Sequence, residues 1–210
     1  MEIKDLPYLT NLLQLVAALA ATVHYGKYKF SDESYFLQFL WFTFVVDLIG
    51  AFVGDVLEIN GNWIYNTFMF FSFLFYFYWY YRIFKNKLFK TLVVLFAISF
   101  VTVAIAHWLL PGWESFHMYT YLTGAVLLFM STLLHFYELL YKEELFVIKH
   151  KLGFWISTGL LLFYIGLIPL TIFRGGLNTE GLAYNLLLVG LNLILYGCYT
   201  IGFLWLKKKE

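Results

Sequence analysis

The sequence contains little cysteine and little charge, and each shortage excludes a class of protein. Its single cysteine, Cys198, allows no internal disulfide and no cysteine-based metal cluster. Charged residues make up 13% of the chain, against about 25% in an average soluble domain. The cations lie in short loops between apolar runs and form no basic patch of the kind that binds nucleic acid. We therefore expect no nucleic-acid partner, and the sequence predicts no cofactor.

Apolar residues, by contrast, are abundant, because 62% of the 210 residues are hydrophobic. A single soluble core of this length cannot bury so much apolar area, which indicates an integral membrane protein in contact with the lipid bilayer. A helix needs roughly 20 residues to cross about 30 Å of hydrocarbon. The sequence predicts an all-α polytopic membrane protein, a single domain over residues 1–210 with seven transmembrane helices. The seven apolar runs are Leu6–His24, Tyr35–Gly54, Trp63–Tyr81, Leu88–Leu110, Phe116–Leu140, Leu152–Phe173 and Leu182–Leu206.

The distribution of lysine and arginine predicts the orientation of these helices. Twelve of the 14 cations lie in loops 24–34, 82–90 and 141–151 or in the C-terminal tail. Only Lys4 and Arg174 lie on the opposite side. Because cytoplasmic loops are enriched in positive charge, we expect the N-terminus outside and the C-terminus inside.

Asp47 is the acid that the sequence singles out, because it lies inside the apolar run Tyr35–Gly54. Its distance from the inner end of that helix is roughly 18 Å, which places it near or above the membrane midplane. A carboxylate facing lipid there would cost roughly 3 kcal/mol, so Asp47 is expected to face the bundle interior. Gly50 and Gly54 share its helical face and are expected to let another helix approach closely.

Further polar side chains are predicted in the outer half of the bundle. Intramembrane polar groups face inward, where they satisfy one another or a ligand. Two interpretations stay open: an outward-facing cavity with Asp47 at its floor, or an interhelical hydrogen-bond network that only fixes packing. In the network, Asp47 would bond Asn11, Gln14 or Asn192. The candidate ligand-binding residues are Asp47, Asn11, Gln14, Asn66, His107, Asn185 and Asn192.

The histidines suggest two further chemistries. His107 and His117, together with Asp55, Glu58 or Glu114, would suit zinc, as in a metal-dependent lipid hydrolase. The signature of seven-helix membrane amidases includes a close histidine pair on one helix, and no His-x-x-x-His occurs here. Outer and inner histidine pairs would also suit haem, but histidines at the membrane surface give the same pattern by chance. No metal site is predicted.

Two segments are assigned to the inner membrane surface. The aromatic run Trp63–Tyr81 is interpreted as lipid-facing and interfacial, particularly from Tyr76 onward, with a stacking wall for a flat apolar ligand as the alternative. The end of the fifth apolar run carries His135 and Glu138, whose spacing allows them to pair. We interpret this charged end as solvated, with a docking surface for a cytoplasmic partner as the alternative.

Three stretches resemble known membrane proteins: GNWIYN at 61–66, FWISTGLLLFYIG at 154–166 and NLILYGCYTIGFLW at 192–205. They resemble a group of small uncharacterised bacterial seven-helix membrane proteins. More distantly, they are similar to the seven-helix membrane sensor block of some bacterial histidine kinases and cyclases. The resemblance implies a multi-pass protein of the bacterial cytoplasmic membrane.

A sensor role for the seven-helix block itself implies that this chain acts without catalysis. The sensor family carries a signalling domain after the helices, whereas this sequence ends at Glu210, so we expect a separate cytoplasmic signalling partner. The expected function is a receptor or sensor-like module that binds a small molecule or lipid in an outward-facing cavity. The alternatives are a small proton- or cation-coupled transporter with Asp47 as coupling acid, and a metal-dependent lipid hydrolase.

Overall fold

A computed structural model describes residues 6–55, 57, 60–109, 115–142, 148–174 and 181–206. Its long helices begin and end within a few residues of the apolar runs, and the all-helical prediction is confirmed. Helices form along these runs because backbone groups in hydrocarbon need partners within the same segment. In chain order the helices are α1 Leu6–Tyr28, α2 Phe36–Asp55, α3 Asn62–Ile83, α4 Lys87–Leu109, α5 Met118–Lys142, α6 Leu152–Ile172 and α7 Leu182–Trp205.

Five of the described helices are long and apolar enough to cross a membrane, namely α2, α4, α5, α6 and α7. Between 22% and 44% of an apolar 18-residue stretch of each of these helices is buried within the chain. Most of the apolar surface of these helices therefore faces outward. Soluble proteins rarely expose contiguous apolar surface on this scale. The chain is therefore a multi-pass membrane protein whose helices contact lipid. Among the described residues α1 and α3 do not meet this criterion, and seven spans with an outer N-terminus stay a prediction.

The chain divides into two compact units, of which the first draws on Met1–Phe44 and Leu139–Glu210. In this unit α7 packs against both α1 and α6. The contact with α1 includes the rings of Tyr28 and Phe203, whose centroids are 5.2 Å apart. The hydroxyl of Tyr28 donates to the carbonyl of Ala21 at 2.9 Å, so this buried tyrosine also keeps its polar atom satisfied.

Glycines set the close approach of α6 and α7. A Cβ on Gly159 would lie 3.0 Å from the carbonyl oxygen of Leu195, and one on Gly202 would lie 2.7 Å from the Cβ of Trp155. A Cβ on Gly166 would meet the side chain of Leu191. Small residues let membrane helices approach until their backbones are almost in contact, which increases dispersion attraction. Gly166 thus belongs to this tight interface.

The second unit spans Val45–Glu138, and in it α3 packs against α4. The rings of Phe73 on α3 and Phe100 on α4 are tilted against each other, with centroids 5.2 Å apart. Gly124 of α5 also lies against Phe73, because a Cβ there would come within 2.7 Å of the phenyl ring. These contacts place α3 beside both α4 and α5.

Much of the aromatic end of α3 is core rather than interfacial surface. Tyr76, Phe77, Trp79 and Tyr80 are buried, and the hydroxyl of Tyr80 lies 2.8 Å from Oγ1 of Thr132 on α5. The lipid-facing interpretation is therefore wrong for these four residues. It failed because a helix that is aromatic on every face gives no periodicity from which to choose the buried one.

The two glycines after Asp47 differ in their surroundings. A Cβ on Gly50 would lie 2.6 Å from the hydroxyl of Tyr65, so a close contact with α3 is confirmed there. Around Gly54 none of the described residues lies within 4 Å of a Cβ, so among them the predicted close contact is not found at this position. Gly54 lies in the last turn of α2, which ends one residue later at Asp55.

Candidate ligand-binding site

Asn66 ties the first turns of α3 to the segment that enters α5. Its side-chain Nδ2 donates to the carbonyl oxygen of Ser115 at 2.9 Å. Its Oδ1 accepts from the backbone N–H of His117, also at 2.9 Å. Both groups of this buried amide are thus engaged with a loop backbone. The arrangement fixes His117 beside α3 and gives Asn66 a clear positioning role.

His107, in the last turn of α4, lies directly against the start of α5. Its Nδ1 is 3.0 Å from Oγ1 of the buried Thr120. Its ring lies 5.0 Å from the ring of His117 and 5.7 Å from that of Tyr119. Among the described residues, no hydrogen-bond partner meets the other ring nitrogen, Nε2. We call the residues Asn66, His107, His117 and Thr120 the histidine cluster.

The histidine cluster can bind a polar ligand group. Thr120 holds one nitrogen of the half-buried His107 ring, so the direction in which Nε2 points is fixed before a ligand arrives. Such pre-organisation lowers the entropy cost of binding. Whether Nε2 donates or accepts depends on the imidazole tautomer, so it could pair with an oxygen acceptor or with an O–H or N–H donor.

The described residues offer no metal centre. Nowhere among them do three His, Cys, Asp or Glu side chains come close enough to hold an ion. Zinc sites in proteins need three or four such ligands. The side chains of Asp55, Glu58 and Glu114, which the zinc alternative requires, lie outside the described part of the structure.

Four of the predicted site residues belong to the first unit. Asn11 and Gln14 are buried on α1. Asn185 and Asn192, both half-buried on α7, donate their Nδ2 groups to the carbonyls of Gly181 and Leu188, at 3.1 Å and 2.9 Å. The donors of these two asparagines are thus used within their own helix.

The other three predicted residues, Asp47, Asn66 and His107, belong to the second unit. Asp47 is half-buried on α2. The structure brings Asn66 and His107 into one cluster, to which it adds His117 and Thr120. The sequence holds a weak signal for Thr120, which lies three residues after His117 in the first turn of α5. A cavity shared by all seven predicted residues stays a prediction, as does a bond between Asp47 and Asn11, Gln14 or Asn192.

A second polar cluster lies at the opposite end of α3 and α5. The carboxylate of Glu138 accepts from the backbone N–H groups of Lys85 and Asn86, at distances of 3.0–3.2 Å. These amides belong to the turn between α3 and α4, where Phe84 adopts an extended conformation and ends α3. Asn86 then caps α4, since its Oδ1 accepts from the N–H of Leu88 at 2.9 Å. We call this arrangement the Glu138 clip.

His135 lies one turn before Glu138 and is surrounded by aromatic rings. The centroids of Trp79, Tyr80 and Phe84 lie 5.8–6.1 Å from its ring. Both His135 and Glu138 are buried, with 6% and 7% of their surface exposed. The prediction of a solvated helix end is wrong for these two residues, because the turn after α3 folds against α5 and supplies N–H donors to the carboxylate.

The fold defines the class of this chain, a multi-pass helical membrane protein. No family model, no curated protein and no solved structure matches it. The resemblance of the stretches at 61–66, 154–166 and 192–205 to bacterial sensor blocks stays a prediction.

Proposed function

We propose that this chain is a receptor-like module of a bacterial cytoplasmic membrane that acts without catalysis. It binds a small molecule or lipid at the histidine cluster and acts through a cytoplasmic partner at the turn after α3. The observation that carries this proposal is that α5 joins the two polar clusters. Thr120 near its start belongs to the histidine cluster, and Glu138 near its end forms the clip.

The length of α5 suits a connection across the bilayer. Thr120 and Glu138 are separated by roughly 27 Å at 1.5 Å per residue, close to the thickness of the hydrocarbon core. From the positive charge of the predicted inner loops we expect the histidine cluster outside and the Glu138 clip inside. Loop 82–90, which contains the clip, carries Arg82, Lys85, Lys87 and Lys90. A cytoplasmic partner with an acidic surface would pair with these four cations.

The proposed signal is a small displacement of α5. A ligand that bonds Nε2 of His107 and a polar group at the start of α5 would draw the ends of α4 and α5 together. Because α5 is one continuous helix, a shift at Thr120 moves Glu138 relative to the backbone amides of Lys85 and Asn86. A ligand can drive this change only by the difference in its affinity for the two positions of α5.

A ligand screen with a structural readout tests the proposal. The protein in lipid nanodiscs would be screened by thermal unfolding against small molecules and lipids extracted from bacterial membranes. A true ligand raises the midpoint of unfolding for the wild-type protein, fails to do so for His107→Ala, and still does so for His150→Ala. The last variant removes a half-buried histidine of the first unit.

Signalling by the receptor requires that the same ligand also changes the Glu138 clip at the other end of α5. Hydrogen exchange at the amides of Lys85 and Asn86 should change when the ligand is added. A ligand that needs His107 but leaves exchange at both amides unchanged would contradict signalling through α5. A screen in which no compound distinguishes His107→Ala from the wild type would contradict binding at the histidine cluster.

A small proton- or cation-coupled transporter is the second candidate, favoured by the position of Asp47. This acid lies half-buried within α2, a helix apolar enough to cross the membrane. Intramembrane acids commonly serve proton relays and ion pathways. Uptake into vesicles that requires a proton gradient and is lost in Asp47→Asn, with folding retained, would establish transport. The receptor proposal instead predicts no gradient-driven uptake.

A further inference from the structure

An apolar groove runs along the second unit between α3 and α4, with a volume of about 480 Å³. It is lined by side chains of both helices, among them Leu74, Val94, Ala97 and Ile98. Thr102, also in its wall, donates its hydroxyl to the carbonyl of Ile98 at 2.9 Å and needs no external partner. The middle of the groove therefore suits a hydrocarbon chain.

The groove has the length of one membrane leaflet. On α3 it extends from Leu74 to Tyr81, and on α4 from Val93 to Thr102, which correspond to roughly 10 Å and 13 Å of helix. Half of the hydrocarbon core measures roughly 15 Å. The lining residues of α3 lie in the half of that helix that leads to the turn between α3 and α4, and those of α4 run from Val93 past the middle of the helix at Ile98 to Thr102. One fatty acyl chain would fill the groove from that side.

Two cations lie at the end of the groove nearest this turn, each held by a tyrosine of its wall. Nη1 of Arg82 donates to the hydroxyl of Tyr78 at 3.2 Å. Nζ of Lys90 lies over the ring of Tyr81, 5.2 Å from its centroid. Both tyrosines line the groove and are nearly half exposed. Positive charge is thus fixed where the headgroup of a lipid seated in the groove would lie.

We propose that this groove is a binding site for an anionic phospholipid of the bilayer. One acyl chain packs between α3 and α4, and the phosphate pairs with Arg82 and Lys90. Interfacial tyrosines and basic side chains favour the headgroup region, where each cation attracts anionic lipid. This site is separate from the histidine cluster, and it would anchor the turn that carries the Glu138 clip to the surface of one leaflet.

Native mass spectrometry of the detergent-purified protein tests the site. The protein would be titrated with phosphatidylglycerol and, separately, with phosphatidylcholine of the same acyl chains. The wild type should retain phosphatidylglycerol in preference. The double variant Arg82→Gln/Lys90→Gln should reduce this preference roughly 25-fold, since each cation contributes a factor of about five. The charge-retaining exchange Arg82→Lys/Lys90→Arg should keep most of it.

Two further variants separate this site from general effects. Ala97→Phe fills the groove and should weaken the binding of both lipids, whereas Ala106→Phe, at an exposed position of the same helix, should not. The matched charge control is Lys27→Gln/Lys29→Gln, which removes one half-buried and one exposed cation of the first unit and should leave the preference intact. Inorganic phosphate should not displace the lipid, because it cannot use the apolar groove.

Four results would overturn the proposal. The first is equal binding of both lipids by the wild type. The second is a preference for phosphatidylglycerol that Arg82→Gln/Lys90→Gln retains. The third is a loss of preference in the Lys27→Gln/Lys29→Gln control as large as that in Arg82→Gln/Lys90→Gln, which would indicate a general effect of charge. The fourth is displacement of the bound lipid by inorganic phosphate, which would indicate a phosphate site that does not bind the acyl chain. A thermal unfolding curve for each variant shows whether it is folded. If Arg82→Gln/Lys90→Gln is unfolded, the charge-retaining variant Arg82→Lys/Lys90→Arg tests the proposal instead.

Discussion

Oε1 of Glu138 lies 3.0 Å from the backbone nitrogen of Asn86, so a carboxylate near the end of α5 holds the turn between α3 and α4. The same carboxylate accepts from the N–H of Lys85. A buried carboxylate needs such donors, and the backbone N–H groups of the turn before α4 need an acceptor outside the helices. The Glu138 clip satisfies both needs and makes the position of the turn depend on α5.

Loss of the carboxylate should loosen this turn. We predict that Glu138→Ala lowers the free energy of unfolding by roughly 2–3 kcal/mol, because the backbone N–H groups of Lys85 and Asn86 lose a charged acceptor. Glu138→Gln keeps one acceptor oxygen and should cost less. Thermal unfolding in detergent measures both effects. The control is Glu33→Ala, a half-buried acid of the turn before α2, and an equal loss there would contradict a specific role for Glu138.

Asn66 should be intolerant of even an isosteric change. Asn66→Asp removes the Nδ2 donor to Ser115 and places a carboxylate against its carbonyl oxygen, so we expect a loss of roughly 2 kcal/mol or more in stability. The matched comparison is Asn185→Asp, whose amide donates only to a carbonyl of its own helix. Chemical unfolding of the two variants should separate them, and equal losses would show that the tie to α5 is unimportant.

The glycines of α6 and α7 give a paired test of packing. Gly159→Ala should destabilise the protein by roughly 1–3 kcal/mol, because the added Cβ meets the backbone of Leu195. Gly197→Ala places a methyl group in open space and should be neutral or stabilising by roughly 0.5–1 kcal/mol. The difference in unfolding midpoint checks both, and a Gly159→Ala protein as stable as Gly197→Ala would refute a tight interface.

Cysteine labelling in whole cells tests the orientation. In a Cys198→Ala background, a cysteine at Lys87 should react only with a membrane-permeant thiol reagent. A cysteine at Asn60 should react with an impermeant one, because the charge distribution predicts that this position lies outside. Both positions are exposed. The reverse pattern would invert the proposed sides of the histidine cluster and the Glu138 clip.

The helices could be predicted from the sequence because their length follows from the bilayer thickness and their apolar composition from the lipid. The glycine contacts could not. Gly159 and Gly166 are seven residues apart and both lie in the tight interface, yet Gly190 and Gly197 have the same spacing and face open space. Spacing defines a helical face, but the neighbour of that face depends on tertiary packing.

The polar sites were predictable only in part for a related reason. Asn66 and His107 stand out as polar residues at the ends of apolar runs, and the structure places both in the histidine cluster. The partners of Glu138 are backbone amides more than a helix away along the chain. Every residue but proline carries such an amide, so no residue type in the sequence marks them.

Coupling between the two ends of α5 is the central claim, and hydrogen exchange tests it without a known ligand. His107→Ala removes the contact with Thr120 at one end, and exchange is measured at the amides of Lys85 and Asn86 at the other. We predict that exchange at both amides changes severalfold in His107→Ala and stays as in the wild type in His150→Ala. Unchanged exchange at both amides in a folded His107→Ala protein would contradict the account.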